Sequence, residues 1–561
     1  MKYQEDQVEW KLPPEGDIPV RDLAKVVAQR RGLEPLDNFL RPSYESLGDP
    51  FLLPDMELAI AHLEQVRRDG KKVAVYGDYD IDGLTATALL TEVFQRLGID
   101  TISYIPDRFV EGYGLHAPAL AELQQQGVDT VVTVDCGITA GEVIAEAASN
   151  GLDIIITDHH TLAEAEPEGA IALINPLRES NAYPERFLSG VGVAFTLVRA
   201  LQQKFPDVLP QGQEKWFLDL VALGTICDVV PLVGENRTLA TFGLTVARQS
   251  RRPGFRALAE VSASELTEIT ARDFSFRFGP RLNAAGRLEH ARTSLGLLMS
   301  ASQESARQHA KILDELNLAR RELTDRIVAE ADQQASQCAD HRALVLADET
   351  WSHGVAGLVA SRIAERHGKP TVILQIEGER AKGSARSVAN FSLITALRQT
   401  PELFDRFGGH AAAAGMTLPT ENIPALRSSL SEYAARSDQT EQLRQVIQAD
   451  LQLRADYISQ AGLDQLRQLE PTGQANPEVK FYATGVVRDI RWVGKDSSHA
   501  QMTITLSDGD IRAIAFRARE QWPWLEVGKP IEALAVVKSS RWNGRERPEV
   551  ELQRMRIGSI S

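Results

Sequence analysis

Three short apolar runs in this 561-residue chain end in aspartate: KVAVYGDYDID from Lys72 to Asp82, TVVTVD from Thr130 to Asp135, and DIIITDHH from Asp153 to His160. A fourth aspartate, Asp228, closes the apolar stretch LVALGTICDVV. Carboxylates brought together from distant points of a chain repel one another unless a cation lies between them. Oxygen and imidazole donors suit Mn²⁺ or Mg²⁺, and two such ions form the clamp used for in-line attack at phosphorus. The pattern points to a two-metal phosphoesterase acting on a phosphodiester or another phosphoryl compound.

The elements that must position these residues can be read from the same runs. Each is rich in Val and Ile and is followed by a helix-like segment. Parallel strands of that kind deliver ligands to the crevice beyond their carboxyl ends, where strand order reverses. The pattern predicts strands at Lys72–Tyr76, Thr101–Ile105, Thr130–Val134, Asp153–Thr157 and Ile171–Asn175, with a helix from Leu84 to about Leu97, ended by Gly98. Helices are expected from Phe187 to about Ala339. Within them Ala306–Ala335 keeps helical spacing without Gly or Pro, a rod of about 45 Å expected to connect two lobes. A second α/β region opens with ALVLA at Ala343–Ala347, runs through a helix stopped at Gly368 and Pro370, and continues in TVILQ. Beyond Asp450, runs at Phe481–Val487, Gln501–Leu506, Arg512–Phe516, Ile531–Val537 and Glu549–Ile557, with turns at Asp508-Gly509 and Asn543-Gly544, suggest a five-stranded barrel. The expected division is an N-terminal segment (1–50), a catalytic α/β domain (51–235), a helical region with connecting helix (236–340), a second α/β domain (341–445) and an OB-like nucleic-acid-binding domain (446–561).

Composition narrows the setting. An apolar content of 43% is ordinary for a globular protein. No apolar run approaches the roughly 20 residues of a membrane span, and the acidic start MKYQEDQVEWKLPPEGD does not read as a secretory signal. Cys136, Cys227 and Cys338 show no paired spacing, so they read as small buried fillers in a cytoplasmic protein. The net charge of −16 is unevenly spread: Lys480–Ser561 carries 14 Lys and Arg against 10 Asp and Glu, which leaves −20 for the rest. That basic tail also holds four of the seven tryptophans, Trp492, Trp522, Trp524 and Trp542, with Phe481, Tyr482 and Phe516. Rings interleaved with arginines suit a single-stranded nucleic acid, with Arg517 and Trp542 as candidate contacts; the alternative is an ordinary aromatic core. The acidic remainder fits a soluble monomer.

The motifs DYDIDG, VDCGIT, DHH, CDVVPL, GPRLNAAGR, SHGVAGLVASR and FGGHAAAAG follow in this order over most of the chain. As a set they resemble the DHH phosphoesterase superfamily and, within it, the bacterial RecJ-type exonucleases. The resemblance implies hydrolysis of single-stranded DNA from the 5′ end, releasing nucleotides, in DNA repair and recombination. It also implies two Mn²⁺ or Mg²⁺ ions as cofactors, and a single-strand-binding protein and a helicase as partners. Other DHH enzymes act on short RNA, cyclic dinucleotides or pyrophosphate, and degenerate relatives only bind DNA. The size of this chain and its basic barrel argue against small substrates, and its intact acidic residues against a degenerate member.

Carried over position by position, the resemblance makes Asp80, Asp82, Asp135, His159 and Asp228 metal ligands, with Asp135 a candidate bridge. His160 is expected to ligate, to serve the leaving group or to hold a carboxylate, and Asp158 belongs to the same motif. Where other branches place a histidine, this chain has Tyr76, so Asp78 either completes a metal site or caps the turn into the following helix. Arg281, Asn283 and Arg287, read as lying on a small-residue loop, are candidate phosphate contacts, with a structural ion pair as the alternative for Arg281. His353 is expected near the scissile phosphate and His410 near the nucleotide, facing a cleft that admits one strand; capping or core roles are the alternatives. For the terminal phosphate the candidates are Arg108 and, in the presumed turn GSARS, Ser384 and Arg386.

Overall fold

The computed structural model describes residues 8–14, 16–162, 165–338, 340–388, 391–436, 445–542 and 545–558. The chain forms two compact units, one made of Ala24–Leu318 with Arg467–Glu478, the other of Met1–Leu23, Ala319–Leu466 and Val479–Ser561.

The first unit is built on five parallel strands, β1 (Lys72–Gly77), β2 (Asp100–Tyr104), β3 (Thr130–Val134), β4 (Asp153–Thr157) and β5 (Ala172–Ile174), in the order β2-β1-β3-β4-β5. β3 is buried along its whole length, as its unbroken Val and Thr run requires. The chain leaves β1 for β2 on one side and returns to β3 on the other. This reversal opens a crevice at the carboxyl ends of β1 and β3, where the first two motif aspartates lie. Around the sheet are α1 (Ile81–Arg96), α2 (Ala117–Gln125), α3 (Gly141–Ser149), α4 (Gly190–Lys204) and α5 (Leu218–Cys227). One hydrophobic cluster joins Val75, Val132 and Ile155 to Leu89, Val193 and Val221; a second joins Ala74, Val131 and Ile154 to Leu120 and Ile144.

Helix α1 begins three residues earlier than its pattern predicts. The Asp80 carboxylate caps it, accepting from the Asp82 and Gly83 amides at 2.9 and 3.1 Å. Asp80 therefore performs the capping considered for Asp78. In the same unit Arg237, 1% exposed, donates to five backbone carbonyls, those of Phe39, Gln468, Leu469, Glu470 and Pro471. It thereby ties the returning segment Arg467–Glu478 to the helix Gly234–Ala247. A helix α6 (Gly279–Leu288) carries the GPRLNAAGR motif, which is therefore helical and not a loop. A 35-residue helix, α7 (Gln303–Gln337), covers the predicted rod.

In the second unit, β6 (Leu344–Asp348), β7 (Thr371–Glu377), β8 (Arg380–Arg386), β9 (Arg406–Gly409) and β10 (Ala413–Pro419) form a mixed sheet ordered β9-β10-β8-β7-β6. Helix α8 (His353–His367) lies between β6 and β7 in sequence and ends at Gly368, whose φ of 63° supplies the left-handed cap. One expectation is corrected here. GSARS is the end of strand β8 and its continuation, not a turn. Gly383 is glycine because a Cβ would stand 1.9 Å from the Ile373 carbonyl oxygen of the paired strand. FGGHAAAAG is a β-hairpin, with the His410 amide donating to the Ala413 carbonyl at its tip.

The C-terminal strands β11 (Leu451–Gln452), β12 (Phe481–Val493), β13 (His499–Leu506), β14 (Gly509–Ala515), β15 (Pro530–Trp542) and β16 (Arg545–Ile557) close into a barrel through the β12–β15 pairing. β11 is a two-residue addition to the five long strands. The strand Val8–Lys11 pairs with Gln445–Gln448. The Asn543-Gly544 turn and the Trp542 side chain lie outside what is described. Among the described residues no helix is long and apolar enough to cross a membrane.

Candidate metal centre

The loops after β1, β3 and β4 and the end of α5 bring carboxylates and imidazoles into three overlapping groups. These are Asp82 with His159 and Asp228, Asp78 with Asp80 and Asp135, and Asp135 with His159 and His160. Ligand atoms within each group lie within 4.8 Å of one another. His159 Nε2 stands 3.0 Å from Asp135 Oδ1, 3.7 Å from Asp228 Oδ2 and 3.8 Å from Asp82 Oδ2. Asp135 belongs to two groups, which is the position of a bridging carboxylate.

Three atoms here, Asp78 Oδ1, Asp135 Oδ1 and His159 Nε2, are buried and make no well-aligned hydrogen bond, although the last two lie 3.0 Å apart. Leaving such atoms unpaired is costly, and divalent cations with oxygen and imidazole ligands would satisfy all three. Burial together with the neighbouring carboxylates raises the Asp78 and Asp135 carboxyls well above the usual range, Asp82 to about 7 and Asp228 to about 9. Burial and the charge of His160 lower His159 to about 4, so it presents a neutral ring nitrogen, the form that ligates. These residues fit a metal pair.

The surrounding backbone fixes the ligands. Asp82 receives the Gly190 and Val191 amides at 2.6 and 2.9 Å, so the start of α4 holds its carboxylate. A Cβ at Gly190 would stand 2.7 Å from Asp135 Cβ and 2.8 Å from Asp135 Oδ1; one at Gly224 would meet Asp82 Oδ1 at 2.9 Å. Asp135 itself has φ of 60°, as Val229 after Asp228 has φ of 63°. Strained backbone of this kind persists where the surrounding structure over-determines it.

His160 is oriented by Asp158, whose Oδ1 lies 2.8 Å from Nδ1 and also accepts the His159 and His160 amides. Burial opposes the charge of His160, but Asp158, Asp78 and Asp80 outweigh it and raise the imidazole to about 9. Burial likewise opposes the charge of Asp158, yet its bonds from His160 and the Ile138 amide hold it below the usual carboxylate range. The Tyr113 hydroxyl lies 3.3 Å from His160 Nδ1, a contact the sequence did not suggest. Tyr76 is no ligand: it is buried, stacks on Tyr104 and donates to the Gly114 carbonyl.

The candidate substrate residues divide. The Arg108 guanidinium lies over the Tyr79 ring at 5.1 Å and acts on the charge of Asp78, while Arg287 acts on Tyr79, the neighbour of Asp78 in the chain. Arg281 donates to Asp314 at 2.8 Å and to the Arg277 carbonyl, the ion pair named as the alternative to a phosphate clamp. Asn283 is half-buried on α6. In the second unit, the His353 amide and Nδ1 both approach Gln375 Oε1, at 2.8 and 3.1 Å. The Arg386 guanidinium packs on α8 at Gly357, and Ser384 shares the half-exposed face of β8. His410 is exposed at its hairpin tip. On the barrel, Arg517 is exposed beside Phe516, which is 46% exposed and packs on His499, and Arg519 lies over Trp492 at 4.6 Å. Phe481, Tyr482 and Trp522 are buried, so for them the core reading holds.

Comparison with known proteins finds three family domains in the chain. Residues 72–225 match the DHH family N-terminal domain, 340–436 the DHHA1 domain and 449–554 the RecJ OB domain. The single-stranded-DNA-specific exonuclease RecJ of Bacillus subtilis is 35% identical over 543 residues, covering 96% of this chain and 68% of that protein. RecJ of Thermus thermophilus is 35% identical over 513 residues, 90% of this chain and 72% of that protein. The crystal structure of Thermus thermophilus RecJ with Mn²⁺ gives a TM-score of 0.84 at 30% identity over 99% of this chain and 81% of that one. The Mg²⁺ complex gives 0.78 at 28% identity, over 99% and 80%. With all three family domains in order, a shared fold and this identity across nearly its full length, the chain belongs to the RecJ family of DHH proteins.

Proposed function

We propose that this chain is an exonuclease that hydrolyses single-stranded DNA from the 5′ end with two Mn²⁺ or Mg²⁺ ions. The observation that carries the reading is the convergence of Asp78 Oδ1, Asp135 Oδ1 and His159 Nε2, buried and without a well-aligned hydrogen bond, among further carboxylates in a chain of this family. Asp82, His159 and Asp228 would hold one ion, and Asp78, Asp80 and Asp135 the other. When bound, the ions supply charge stabilisation at phosphorus and an activated water.

The chain's own residues do the rest. Asp158 keeps His160 protonated and aimed at the centre, where it donates a proton to the departing oxygen. Arg108 and Arg287 draw phosphate oxygens towards the carboxylate edge. His353 at the start of α8, with Ser384 and Arg386 on β8, where the Arg386 guanidinium packs on α8 at Gly357, suits a terminal phosphate, because helix N-termini attract anions. The exposed rings and arginines of the barrel suit further nucleotides. We assign the protein to DNA repair and recombination in the cytoplasm, acting with a single-strand-binding protein and a helicase, which the family resemblance supports, and as a monomer, which its acidic charge supports; the three unpaired cysteines agree with a reducing compartment.

The test is Mn²⁺ with end-labelled single strands blocked in turn at the 5′ and 3′ ends. Release should stop only when the 5′ end is blocked; release stopped by the 3′ block refutes the polarity, and no release from either substrate refutes the activity. Arg386→Ala should abolish preference for a 5′-phosphate over a 5′-hydroxyl, and an unchanged preference removes that role.

A further inference from the structure

Two exposed apolar side chains sit on backbone that adjoins the metal centre, and none of the roles assigned above uses them. Phe187 is 60% exposed and Val229 63% exposed. Each is fixed to the centre by its own backbone. Phe187 precedes Leu188, whose backbone bonds to His159, and lies three residues before Gly190, whose amide donates to Asp82. Val229 directly follows Asp228, whose carboxylate is 3.7 Å from His159.

The two backbone stretches are also tied to each other. The fully buried Asn236 donates from one Nδ2 to the Phe187 carbonyl at 2.5 Å and to the Pro231 carbonyl at 3.2 Å. A buried amide thereby ties the backbone at Phe187 to the backbone two residues beyond Val229. Val229 adds strain, since φ of 63° is a genuine outlier for a β-branched residue. Backbone held in such a state clusters at ligand clamps.

We infer that Phe187 and Val229 form a base-binding subsite, in which an unstacked nucleobase next to the scissile phosphate lies against the Phe187 ring and is flanked by Val229. The inference rests on the proposed action on single-stranded DNA and adds the contact that favours single strands. A base inside a duplex is stacked on both faces and cannot offer one to a ring. A free strand can, and such stacking tolerates any sequence because every base has a π-face.

The test measures binding, so it is independent of turnover. Equilibrium affinity is determined in Ca²⁺ for a single-stranded oligonucleotide and for a set in which one abasic nucleotide is moved stepwise from the 5′ end. With the unsubstituted protein, one abasic position should weaken binding about tenfold, within the range of one base–aromatic stack. Phe187→Ala should weaken binding of the intact strand about tenfold and show no further loss at that position, whereas Phe187→Trp should behave as the unsubstituted protein. Val229→Gly suits the positive φ, so the fold is kept while affinity for the intact strand falls. The subsite is overturned if Phe187→Ala retains the full abasic penalty, or if the unsubstituted protein binds single strands with no abasic penalty anywhere. Failure to bind single strands at all would instead defeat the functional reading on which the subsite rests.

Discussion

Replacing Gly190 by alanine should disable the metal centre while leaving the rest of the catalytic unit folded. Gly190 opens α4 with ordinary helical geometry, so the change adds only a methyl group. That methyl would lie 2.7 Å from Asp135 Cβ, 2.8 Å from Oδ1 and 2.9 Å from Cγ. Non-bonded carbons settle at about 3.5–4.0 Å, so one partner must retreat by about 1 Å. Metal–ligand distances tolerate about 0.2 Å. Overpacking of this size costs about 1–3 kcal/mol, a fall in Tm of a few degrees. The loss in metal affinity should exceed the roughly 10–100-fold typical of damaged ligand support, because Asp135 belongs to two ligand groups and Asp82 bonds the same residue's amide. Gly192→Ala is the control: its methyl would meet Ser189 Oγ at 3.2 Å and no ligand among its nearest neighbours. Calorimetric titration with Mn²⁺ and thermal melts of both variants decide the matter. If Gly190→Ala binds Mn²⁺ as Gly192→Ala does, the close approach to Asp135 is not a constraint on the site.

Metal-free protein should lose stability as pH rises from about 5 to 9. The carboxyls of Asp82 (about 7) and Asp228 (about 9), and those of Asp78 and Asp135, are raised on folding, so their contribution is complete below the unfolded carboxylate range and is lost as each ionises. Mn²⁺ should then raise Tm increasingly across that window, and a metal-induced shift independent of pH would contradict the cluster's role. Arg237→Met should destabilise the protein by at least about 1–3 kcal/mol in urea unfolding, the cost of a buried carbonyl left unsatisfied, and expose residues 467–478 to protease, since five carbonyls lose their donor; intact resistance would refute the tie. Arg281→Ala should leave single-strand affinity within about twofold in anisotropy titrations, because its guanidinium is already committed to Asp314; a large loss would restore it as a phosphate clamp.

The order of apolar runs and acids made the parallel sheet, and the edge at which Asp82, Asp135, His159 and Asp228 meet, readable from the chain. Such runs have few alternatives to buried parallel strands, and a polar residue at a strand end has one place to go. The barrel strands were visible for the same reason, although most of them are longer than their apolar stretches suggest. Errors arose where glycine has two meanings. In GSARS it permits strands to approach closely, and in DIDG it lies inside a capped helix, yet both read locally as turns. GPRLNAAGR contains Pro and two Gly but lies in a helix, with Pro280 in its first turn, where its missing amide costs nothing. The Gly190 cradle, the Tyr113 contact with His160 and the carbonyl cage of Arg237 carry no local signal, because each depends on residues brought close only by folding.

The most direct test of the central claim is anomalous diffraction from crystals of the protein grown with Mn²⁺. Two peaks are predicted, one among Asp82, His159 and Asp228, the other among Asp78, Asp80 and Asp135. Peaks at other positions, or none at a concentration that supports hydrolysis of single strands, would contradict it.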